Sequence, residues 1–388
     1  MKILYCLVDS SRPGGMERII SCKANYLADI LGYDVSIITT DRGNKGNFYR
    51  FSDKIHFIDL DINYWELNQY SFAKKFWIQI KKRKVHKKKL AEYLFQQKPD
   101  IVISTYTHEF TLLPSIKDGS KRIGEIHFSK HYNRIENKNK IQPFLNKIFS
   151  RLAEWRKHSY ITKYDKFIVL TKADLQNWKK YPDVEYIYNT LSFYPEETAP
   201  LNAKRVISVG RLALQKGYDM LIEAWEKVYT AYPDWRLDIF GEGEDSDFLH
   251  RLISSKKLEH VITINTPTGN IISEYLNSSV YVMSSRYEGF PMVLIESQTC
   301  GLPCISFDCP DGPAEIITDC EDGFLVENGS VTLLAEKIKT LIENESLRIE
   351  MGKKAKENVK RFSPDIIMKE WDRLFREILS EKQLKFSC

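Results

Sequence analysis

Two glutamates, Glu288 and Glu296, stand eight positions apart around the start of a predicted helix. Pro291 near the beginning of that helix and Gly301 just past its end are residues that typically mark helix boundaries. Glu288 precedes the helix and Glu296 falls in its second turn, so both carboxylates can face a ligand that lies over the helix N-terminus. A surface helix with two solvated glutamates is the alternative, since most glutamates lie at the surface.

The start of this helix favours an anion, because its first backbone N–H groups lack partners within the helix and carry a partial positive charge. A phosphate fits such a site. A carboxylate farther along, here Glu296, can accept hydrogen bonds from a ribose diol. The predicted ligand-binding positions at the helix start are Phe290, Pro291, Met292, Val293 and Leu294.

A loop with two cations follows a predicted strand in the second half of the chain. Arg211 and Lys216 stand in this loop, between Gly210 and Gly217. Two fixed cations there can neutralise a diphosphate and the charge that grows on it as its bond to a sugar breaks. Two exposed basic residues without a ligand are the alternative.

Residues in the first half of the chain could approach the same ligand. Gly14 and Gly15 form a turn between a strand and a helix, where the missing side chains let an anion approach the backbone. Glu17 either borders this site or favours the helix N-terminus by its charge. His127 follows a predicted strand and could orient a ligand or pass a proton, although a lone histidine is more often structural.

The elements between these residues alternate short apolar runs with helical patterns, which predicts an α/β fold with parallel sheets. In open sheets of this kind, ligands bind at the carboxyl ends of strands, where Gly15, Thr105 and His127 fall. The predicted strands cover residues 3–8, 35–39, 55–60, 101–104, 122–126, 167–170, 205–209, 236–240, 261–264, 280–283 and 304–307.

A chain of 388 residues is too long for one ordinary core and suits two domains. The boundary is predicted near Tyr194 to Asn202, a stretch with two prolines and no periodic pattern. We predict an N-terminal domain over residues 1–195, a second domain over 196–363 and a C-terminal helix within 364–388. One face of that helix is expected to be buried, because its apolar residues follow helical spacing: Trp371, Leu374, Phe375 and Ile378.

The composition, with 43% hydrophobic and 28% charged residues, is that of a soluble globular protein. No run reaches the roughly 18 apolar residues that span a membrane, and the N-terminus is interpreted as a first strand and not as a signal peptide. The seven cysteines lack paired spacing, which suggests a reducing compartment. Cys300, Cys304 and Cys309 are predicted to be buried thiols, because they form no CxxC pair that would suit a metal.

A basic helix is predicted between Phe72 and Leu90. Residues 71–100 contain ten basic and two acidic side chains, a net charge of +8 against +5 for the whole chain. Such a helix with neighbouring aromatic residues suits an anionic membrane surface; a solvated helix and a nucleic-acid contact are the alternatives. Basic and aromatic residues from His131 to Lys166 could extend this face. The predicted membrane patch comprises Lys74, Lys75, Trp77, Lys81, Lys82, Arg83, Lys84, Lys87, Lys88 and Lys89.

The segment from Ser284 to Ile317 resembles the donor-site signature of retaining glycosyltransferases of the GT-B fold, family 4, in which seven residues separate two glutamates. Its continuation FDCPDGPAEII, followed by DGFLV, is similar to the subset that uses UDP-hexoses or UDP-N-acetylhexosamines. Two further strings resemble motifs of that family: GRLALQKG, which contains Arg211 and Lys216, and GGME, which contains Gly15 and Glu17.

The resemblance implies two Rossmann-like domains that face each other across a cleft, with the C-terminal helix crossing back onto the first domain. The donor diphosphate would lie at Gly15, Arg211 and Lys216. Glu296 would hold the ribose hydroxyls, and Glu288 the hydroxyls of the transferred sugar.

The resemblance also implies a role for the first domain. His127 matches a family histidine that contacts the donor sugar near the reacting carbon, and Gly14 and Glu17 would border the acceptor or the diphosphate. The implied catalytic residues are His127, Glu288, Arg211 and Lys216.

The implied reaction moves a hexose or N-acetylhexosamine, with retention, from a UDP-sugar to a hydroxyl of a glycan acceptor. That acceptor would be lipid-linked or a precursor of lipopolysaccharide, capsule or exopolysaccharide. No cofactor is expected, and protein cations would replace a metal, because Asp9, Asp59 and Asp61 do not match the family's donor positions. The protein would be cytoplasmic and peripheral at the inner face of the cytoplasmic membrane, with no nucleic-acid partner.

Three other functions remain as alternatives to a transferase. A nucleotide-sugar epimerase of the same two-domain shape would use the cleft and the donor without an acceptor. A non-catalytic, membrane-docked protein that binds sugar nucleotides would keep the basic helix. An oxidoreductase is disfavoured, because GxGxxG does not follow the first strand.

Overall fold

The computed structural model describes residues 1–128 and 156–385. The part of the predicted basic and aromatic extension that falls on residues 131–155 lies outside these ranges. The first sheet contains the strands β1 Lys2–Cys6, β2 Asp34–Thr39, β3 His56–Asp59, β4 Ile101–Ser104, β5 Lys121–Glu125, β6 Lys166–Val169 and β7 Val184–Tyr186. The second contains β8 Arg205–Val209, β9 Arg236–Phe240, β10 Ile262–Asn265, β11 Val280–Met283, β12 Cys304–Asp308 and β13 Gly323–Glu327.

Helices connect these strands and cover the sheets. Their bounds are α1 Gly15–Asn25, α2 Phe72–Gln97, α3 Lys172–Trp178, α4 Tyr218–Tyr229, α5 Ser246–Ser255, α6 Ile271–Leu276, α7 Met292–Thr299, α8 Val331–Glu343, α9 Glu345–Asn358 and α10 Pro364–Lys385. In the described residues, no helix is both long enough and apolar enough to span a lipid bilayer.

Both sheets are parallel, and in each the strand order reverses direction at one point. The first has the order β3-β2-β1-β4-β5-β6-β7 and the second the order β10-β9-β8-β11-β12-β13. Strands such as β4, with the sequence IVIS, are buried along their whole length, as expected for parallel strands covered on both faces. Each sheet therefore has a crevice at its reversal, between β1 and β4 or between β8 and β11, where ligands of such folds bind.

The two reversal points hold the loops singled out from the sequence. Gly14 and Gly15 follow β1, and the loop with Arg211 and Lys216 follows β8. Glu288 follows β11, the neighbour of β8. Topology alone thus places these segments at the ligand-binding edges of their sheets.

The C-terminal helix α10 packs on the first domain. Trp371, Leu374 and Phe375 are buried in one cluster with Ile3 of β1 and Val35 of β2. At the helix surface, the hydroxyl of Tyr26 donates to Asp365 at 2.9 Å. The crossing of this helix from the second domain back to the first, which the resemblance implied, is therefore confirmed.

The predicted α/β class with two parallel-sheet domains is also confirmed, but two strands were missed. β7 has only three residues, all half-buried, and β13 begins with a glycine that precedes a run of only three apolar residues. Both lie at the edge of their sheet. The segment between β7 and β8, residues 187–204, contains the predicted domain boundary.

Candidate active site

Helix α7 starts without a side-chain cap. Pro291 precedes it, and no side chain hydrogen-bonds to its first turn, which leaves backbone N–H groups available to a ligand. Of the predicted positions at this helix start, Val293 is partly exposed, and the others, Phe290, Pro291, Met292 and Leu294, are buried. The buried side chains anchor the helix against the domain core, so the start of α7 is held in place before any ligand arrives.

The loop after β8 and the loop after β11 are joined by hydrogen bonds. The hydroxyl of Ser284 donates to the backbone oxygen of Lys216 at 2.9 Å, and the side-chain amide of Gln215 donates to the backbone oxygen of Tyr287 at 3.1 Å. Gly217 makes this approach possible, because its φ is +64° and a Cβ there would lie 2.1 Å from the backbone oxygen of Ser284. Two motifs far apart in sequence therefore form one surface.

Lys216 and Glu288 meet on this surface. The ammonium nitrogen of Lys216 lies 2.7 Å from Oε1 of Glu288. Both side chains are largely buried, so the ion pair is shielded from solvent. A lysine held next to the helix start by a carboxylate can turn to a diphosphate when one binds there.

Arg211 is placed differently from Lys216. Its side chain is exposed, and in the described ranges no ion pair or side-chain hydrogen bond of Arg211 is found. Its charge acts on Asp245. Burial and acidic neighbours raise the pKa of Asp245, and Arg286 and Arg211 only partly oppose that rise. The structure does not bring Arg211 into the Lys216–Glu288 pair.

Glu296 joins the two domains. It is buried on α7, and Arg18 of helix α1 forms an ion pair with its Oε1. The hydroxyl of Ser192, from the connecting segment, donates to the same oxygen at 3.2 Å. Burial raises the pKa of Glu296, whereas the neighbouring Arg18 opposes that rise. The carboxylate predicted for the ribose thus faces the first domain and has a cationic partner there.

Sequence reasoning did not identify Arg18. It directly follows the GGME string, and its backbone N–H donates to the oxygen of Gly14 at 3.1 Å, in the first turn of α1. Its guanidinium carbon also lies 5.4 Å from the ring centre of Tyr49. The signal that could have found it is its place one turn after the glycine pair at the end of β1.

The glycine turn has an open side and a closed side. A Cβ on Gly15 would meet no atom within 4 Å, whereas a Cβ on Gly14 would lie 2.0 Å from Oε2 of Glu17. Glu17 therefore folds back over Gly14, and burial raises the pKa of this carboxyl. Open space at Gly15 is what a ligand that approaches the backbone requires.

His127 lies at the end of β5 in a buried position. Its side chain is 5% exposed, and Nε2 is 3.2 Å from Oε1 of Glu125. Neither ring nitrogen has a well-aligned hydrogen bond to any of the described residues. His127 interacts electrostatically with Glu17, so the histidine lies near the glycine turn. A buried imidazole without a hydrogen bond is a group that a ligand could satisfy.

The predicted site residues therefore fall into three groups. Lys216 and Glu288 form an ion pair in the second domain. Glu296 pairs with Arg18 across the domains, and the glycine turn lies near His127 in the first domain. In the part of the chain that the structure describes, no cluster of three or more side chains suited to a metal ion is present.

The basic helix α2 divides into a bound face and an exposed face. Several predicted patch residues are bound to the protein. Lys82 donates to the backbone oxygen of Ile62 and pairs with Glu66, Arg83 donates to Thr111, Lys89 donates to the backbone oxygen of Leu60, and Lys75 donates to Asn68 at 3.5 Å. The exposed positions are Lys74, Trp77, Lys81, Lys84, Lys87 and Lys88, and Lys75 is partly exposed.

Two parallel Rossmann-like domains with facing loop edges and a helix that returns to the first domain constitute the GT-B fold. Solved structures share this architecture. TarM of S. aureus superposes with a TM-score of 0.78 at 18% identity, covering 97% of this chain and 100% of that chain. A sucrose-phosphate synthase from Thermosynechococcus elongatus gives a TM-score of 0.81 at 17% identity, covering 98% and 99%.

Residues 193–358 match the family described as glycosyl transferases group 1. An uncharacterized glycosyltransferase of Haemophilus influenzae is 29% identical over 377 residues, which cover 95% of this chain and 98% of that protein. AmsD of Erwinia amylovora, an amylovoran biosynthesis glycosyltransferase, is 36% identical over 214 residues, covering 55% of this chain and 60% of its own length.

A third relative is the poly(ribitol-phosphate) alpha-N-acetylglucosaminyltransferase of Staphylococcus aureus, 31% identical over 217 residues that cover 55% of this chain and 44% of its own. The chain thus spans nearly all of the Haemophilus relative and about half of the other two. The family match and these relatives support an enzyme that transfers a sugar.

Proposed function

We propose that this protein is a retaining glycosyltransferase that moves a hexose or N-acetylhexosamine from a UDP-sugar to a hydroxyl of a glycan acceptor. The observation that carries the proposal is the pairing of both acids on the Glu288–Glu296 segment with displaceable cations. Lys216 pairs with Glu288, and Arg18 pairs with Glu296. The two acids lie on either side of the uncapped start of α7, which suits a diphosphate between two sugars.

In this proposal the donor lies between the domains. The diphosphate takes the place at the start of α7, with Lys216 and the open backbone at Gly15 beside it. Arg211, which is exposed, turns toward the same phosphates. Glu296 accepts from the ribose hydroxyls, and Glu288 accepts from hydroxyls of the transferred sugar once Lys216 turns to the phosphate.

The chemical step follows from this placement. Departure of UDP leaves a sugar with oxocarbenium character, and the cations stabilise the charge that develops on the leaving diphosphate. The acceptor hydroxyl attacks from the face that the leaving group vacates, which retains the anomeric configuration. Its proton passes to the departing diphosphate. His127 orients the donor sugar near the reacting carbon.

No metal or cofactor takes part in the proposed reaction. Lys216, Arg211 and the helix start supply the positive charge that a divalent cation would otherwise bring to the diphosphate. The expectation is that a chelator such as EDTA leaves the rate of transfer unchanged, and a loss that Mg²⁺ or Mn²⁺ restores would contradict it.

The acceptor class is proposed from the relatives. AmsD is named for amylovoran biosynthesis, another relative for transfer to poly(ribitol-phosphate), and a Campylobacter jejuni relative for transfer to a diphospho-undecaprenol-linked sugar. We propose a surface-polysaccharide precursor, lipid-linked or bound to the membrane, as the acceptor.

The exposed face of α2 supports docking to an anionic membrane surface from the cytoplasm. Trp77 is 66% exposed and Phe76 is 55% exposed at the beginning of the helix. Lys81, Lys84 and Lys88 follow on the exposed side at helical spacing. Aromatic side chains at the membrane interface with lysines above anionic head groups would hold the enzyme next to a lipid-linked acceptor.

A donor screen followed by a transfer assay tests the proposal. UDP-Gal, UDP-GalNAc, UDP-Glc, UDP-GlcNAc and GDP-mannose are compared for thermal stabilisation, because a ligand that binds the folded state raises its unfolding temperature. The stabilising donor is then incubated with undecaprenyl-diphosphate-linked sugars, and the anomeric configuration of the product is determined by NMR.

Variants locate the site. Lys216→Ala and Glu296→Ala should each lose about 2–4 kcal/mol of transition-state stabilisation, or about 30-fold to 1,000-fold in kcat/KM. The matched control is Lys204→Ala, because Lys204 pairs with Asp234 at the surface of the same domain. Near-wild-type activity in both site variants, or epimerisation of the donor without an acceptor, would contradict the proposal.

A further inference from the structure

A lysine of helix α1 is buried beside the catalytic side of the first domain. The side chain of Lys23 is 1% exposed, and its nitrogen lies 2.5 Å from Oε1 of Glu125, which is equally buried. Burial lowers the pKa of Lys23, and the carboxylate partly offsets this effect. A buried ion pair adds little net stability over apolar packing, so its presence here calls for another reason.

The other side of Lys23 is covered by the C-terminal helix. The lysine nitrogen lies 3.5 Å from the ring centre of Trp371, on α10, and 5.8 Å from that of Tyr5, on β1. The aromatic faces favour the charged ammonium and exclude water from it. The helix that crosses back from the second domain thus encloses the pair of Lys23 and Glu125.

Glu125 contacts Lys23 and His127 through the same oxygen. The Nε2 atom of His127 lies 3.2 Å from Oε1, the atom that also faces Lys23. Burial raises the pKa of Glu125, but Lys23 and His127 outweigh burial and lower it to about 2. The carboxylate is therefore ionised at neutral pH. Glu17, at the glycine turn, also interacts electrostatically with His127.

We propose that Lys23 and Glu125 are positioning residues for His127, an inference that rests on the proposed function of His127 toward the donor sugar. Oε1 of Glu125 faces Nε2 at 3.2 Å without an aligned hydrogen bond; when the donor seats the ring, Nε2–H donates to this oxygen, and the contact favours this tautomer. Lys23 offsets the charge of the carboxylate that faces the imidazole. Nδ1 then carries a lone pair and accepts a hydrogen bond from a sugar hydroxyl; it cannot donate to a phosphate oxygen.

The tautomer can be read on the unaltered, full-length protein. Histidine labelled with ¹⁵N distinguishes a protonated ring nitrogen from an unprotonated one, and the signals of His127 are identified by their loss in His127→Gln. We expect a protonated Nε2 and an unprotonated Nδ1 at neutral pH. The opposite tautomer, or a doubly protonated ring at neutral pH, would overturn the proposal even if no variant folds.

Two substitutions should move the titration of His127 in opposite directions. Lys23→Met leaves the carboxylate facing only the imidazole, so the transition of His127 should move to higher pH. Glu125→Gln removes the negative charge and leaves Lys23 nearby, so the transition should move to lower pH. The matched control is Lys121→Met, because Lys121 pairs with Asp165 at 2.9 Å at the opposite end of β5; it should leave the transition in place.

Activity supplies the second measurement. Both variants should lower kcat about tenfold or more with the UDP-sugar, while the Kd for UDP alone changes less than twofold, because UDP lacks the sugar that His127 contacts. A purely structural pair would lower the unfolding temperature without opposite titration shifts. Shifts of the same sign, or none, overturn the positioning role. Opposite shifts in a protein that transfers no sugar support the role and refute the proposed function instead.

Discussion

Replacing Arg18 with methionine should weaken the contact between the two domains. Arg18 is 28% exposed, and its partner Glu296 is 4% exposed. Exposed ion pairs contribute about 0.2–1 kcal/mol, whereas removal of one partner from a buried pair costs about 3–5 kcal/mol. Because the exposure of this pair is between that of a surface pair and that of a fully buried pair, we expect a loss of about 2 kcal/mol in the free energy of unfolding. That loss corresponds to about 4–8 °C in a unit of 150–250 residues.

The loss in Arg18→Met should depend on pH. Burial raises the pKa of Glu296, so the folded protein holds this proton more tightly than the unfolded chain does. A carboxyl group with a raised pKa in the folded state adds to the free energy of unfolding at low pH, and this added stability is lost as the pH rises through the folded-state pKa. Without Arg18 the pKa rises further. The variant should therefore show its largest deficit near neutral pH and a smaller one at acidic pH.

Thermal unfolding followed by far-UV circular dichroism at about pH 5 and about pH 7.5 measures both effects. The double variant Arg18→Met/Glu296→Gln completes a mutant cycle, because it removes the uncompensated charge as well. It should recover at least half of the loss and its pH dependence. An equal deficit at both pH values, or no recovery in the double variant, would refute the reasoning.

Three further predictions concern single features of the molecule. Gly15→Ala should leave the unfolding temperature unchanged or slightly higher, because a Cβ there meets no atom within 4 Å. If the diphosphate approaches this backbone, the variant should bind UDP about tenfold more weakly by calorimetry. Unchanged affinity would place the diphosphate elsewhere. Gly217→Ala should cost about 2 kcal/mol or more in chemical denaturation, since its φ is +64° and its Cβ would lie 2.1 Å from a backbone oxygen; a neutral result would mean that the loop is not held as described. The triple variant Lys81→Gln, Lys84→Gln and Lys88→Gln should keep its stability but bind vesicles with anionic lipid about 100-fold more weakly, at about 1 kcal/mol per lysine. The control Lys82→Gln should lower stability and leave vesicle binding nearly unchanged, because Lys82 is bound to Ile62 and Glu66.

Much of the fold followed from local patterns. The apolar runs at β1, β4, β8 and β11 are the central strands of the two sheets, and their alternation with helices indicated parallel order. The helical spacing of Trp371, Leu374 and Phe375 was sufficient to predict a buried face. Two edge strands escaped detection: β7 is short and half-buried, and β13 is mostly buried but has only three consecutive apolar residues.

The candidate site was only partly visible in the sequence. Residue types and local spacing indicated Lys216 in the loop after β8, Glu288 in the loop after β11 and Glu296 in the second turn of α7. Arg18 could not be found in the same way. Its partner is 278 positions away in the other domain, and no local pattern records which helix faces which across a cleft.

Sequence by itself determined the class of fold, the central strands and the two segments with the acids and cations, because these depend on periodicity and on chain order. Tertiary structure decided which charges meet. It paired Arg18 with Glu296 and Lys216 with Glu288, and it enclosed Lys23 between Glu125 and the C-terminal helix. Such pairings depend on how two domains and a returning helix are positioned against one another, and that arrangement comes from packing over the whole chain.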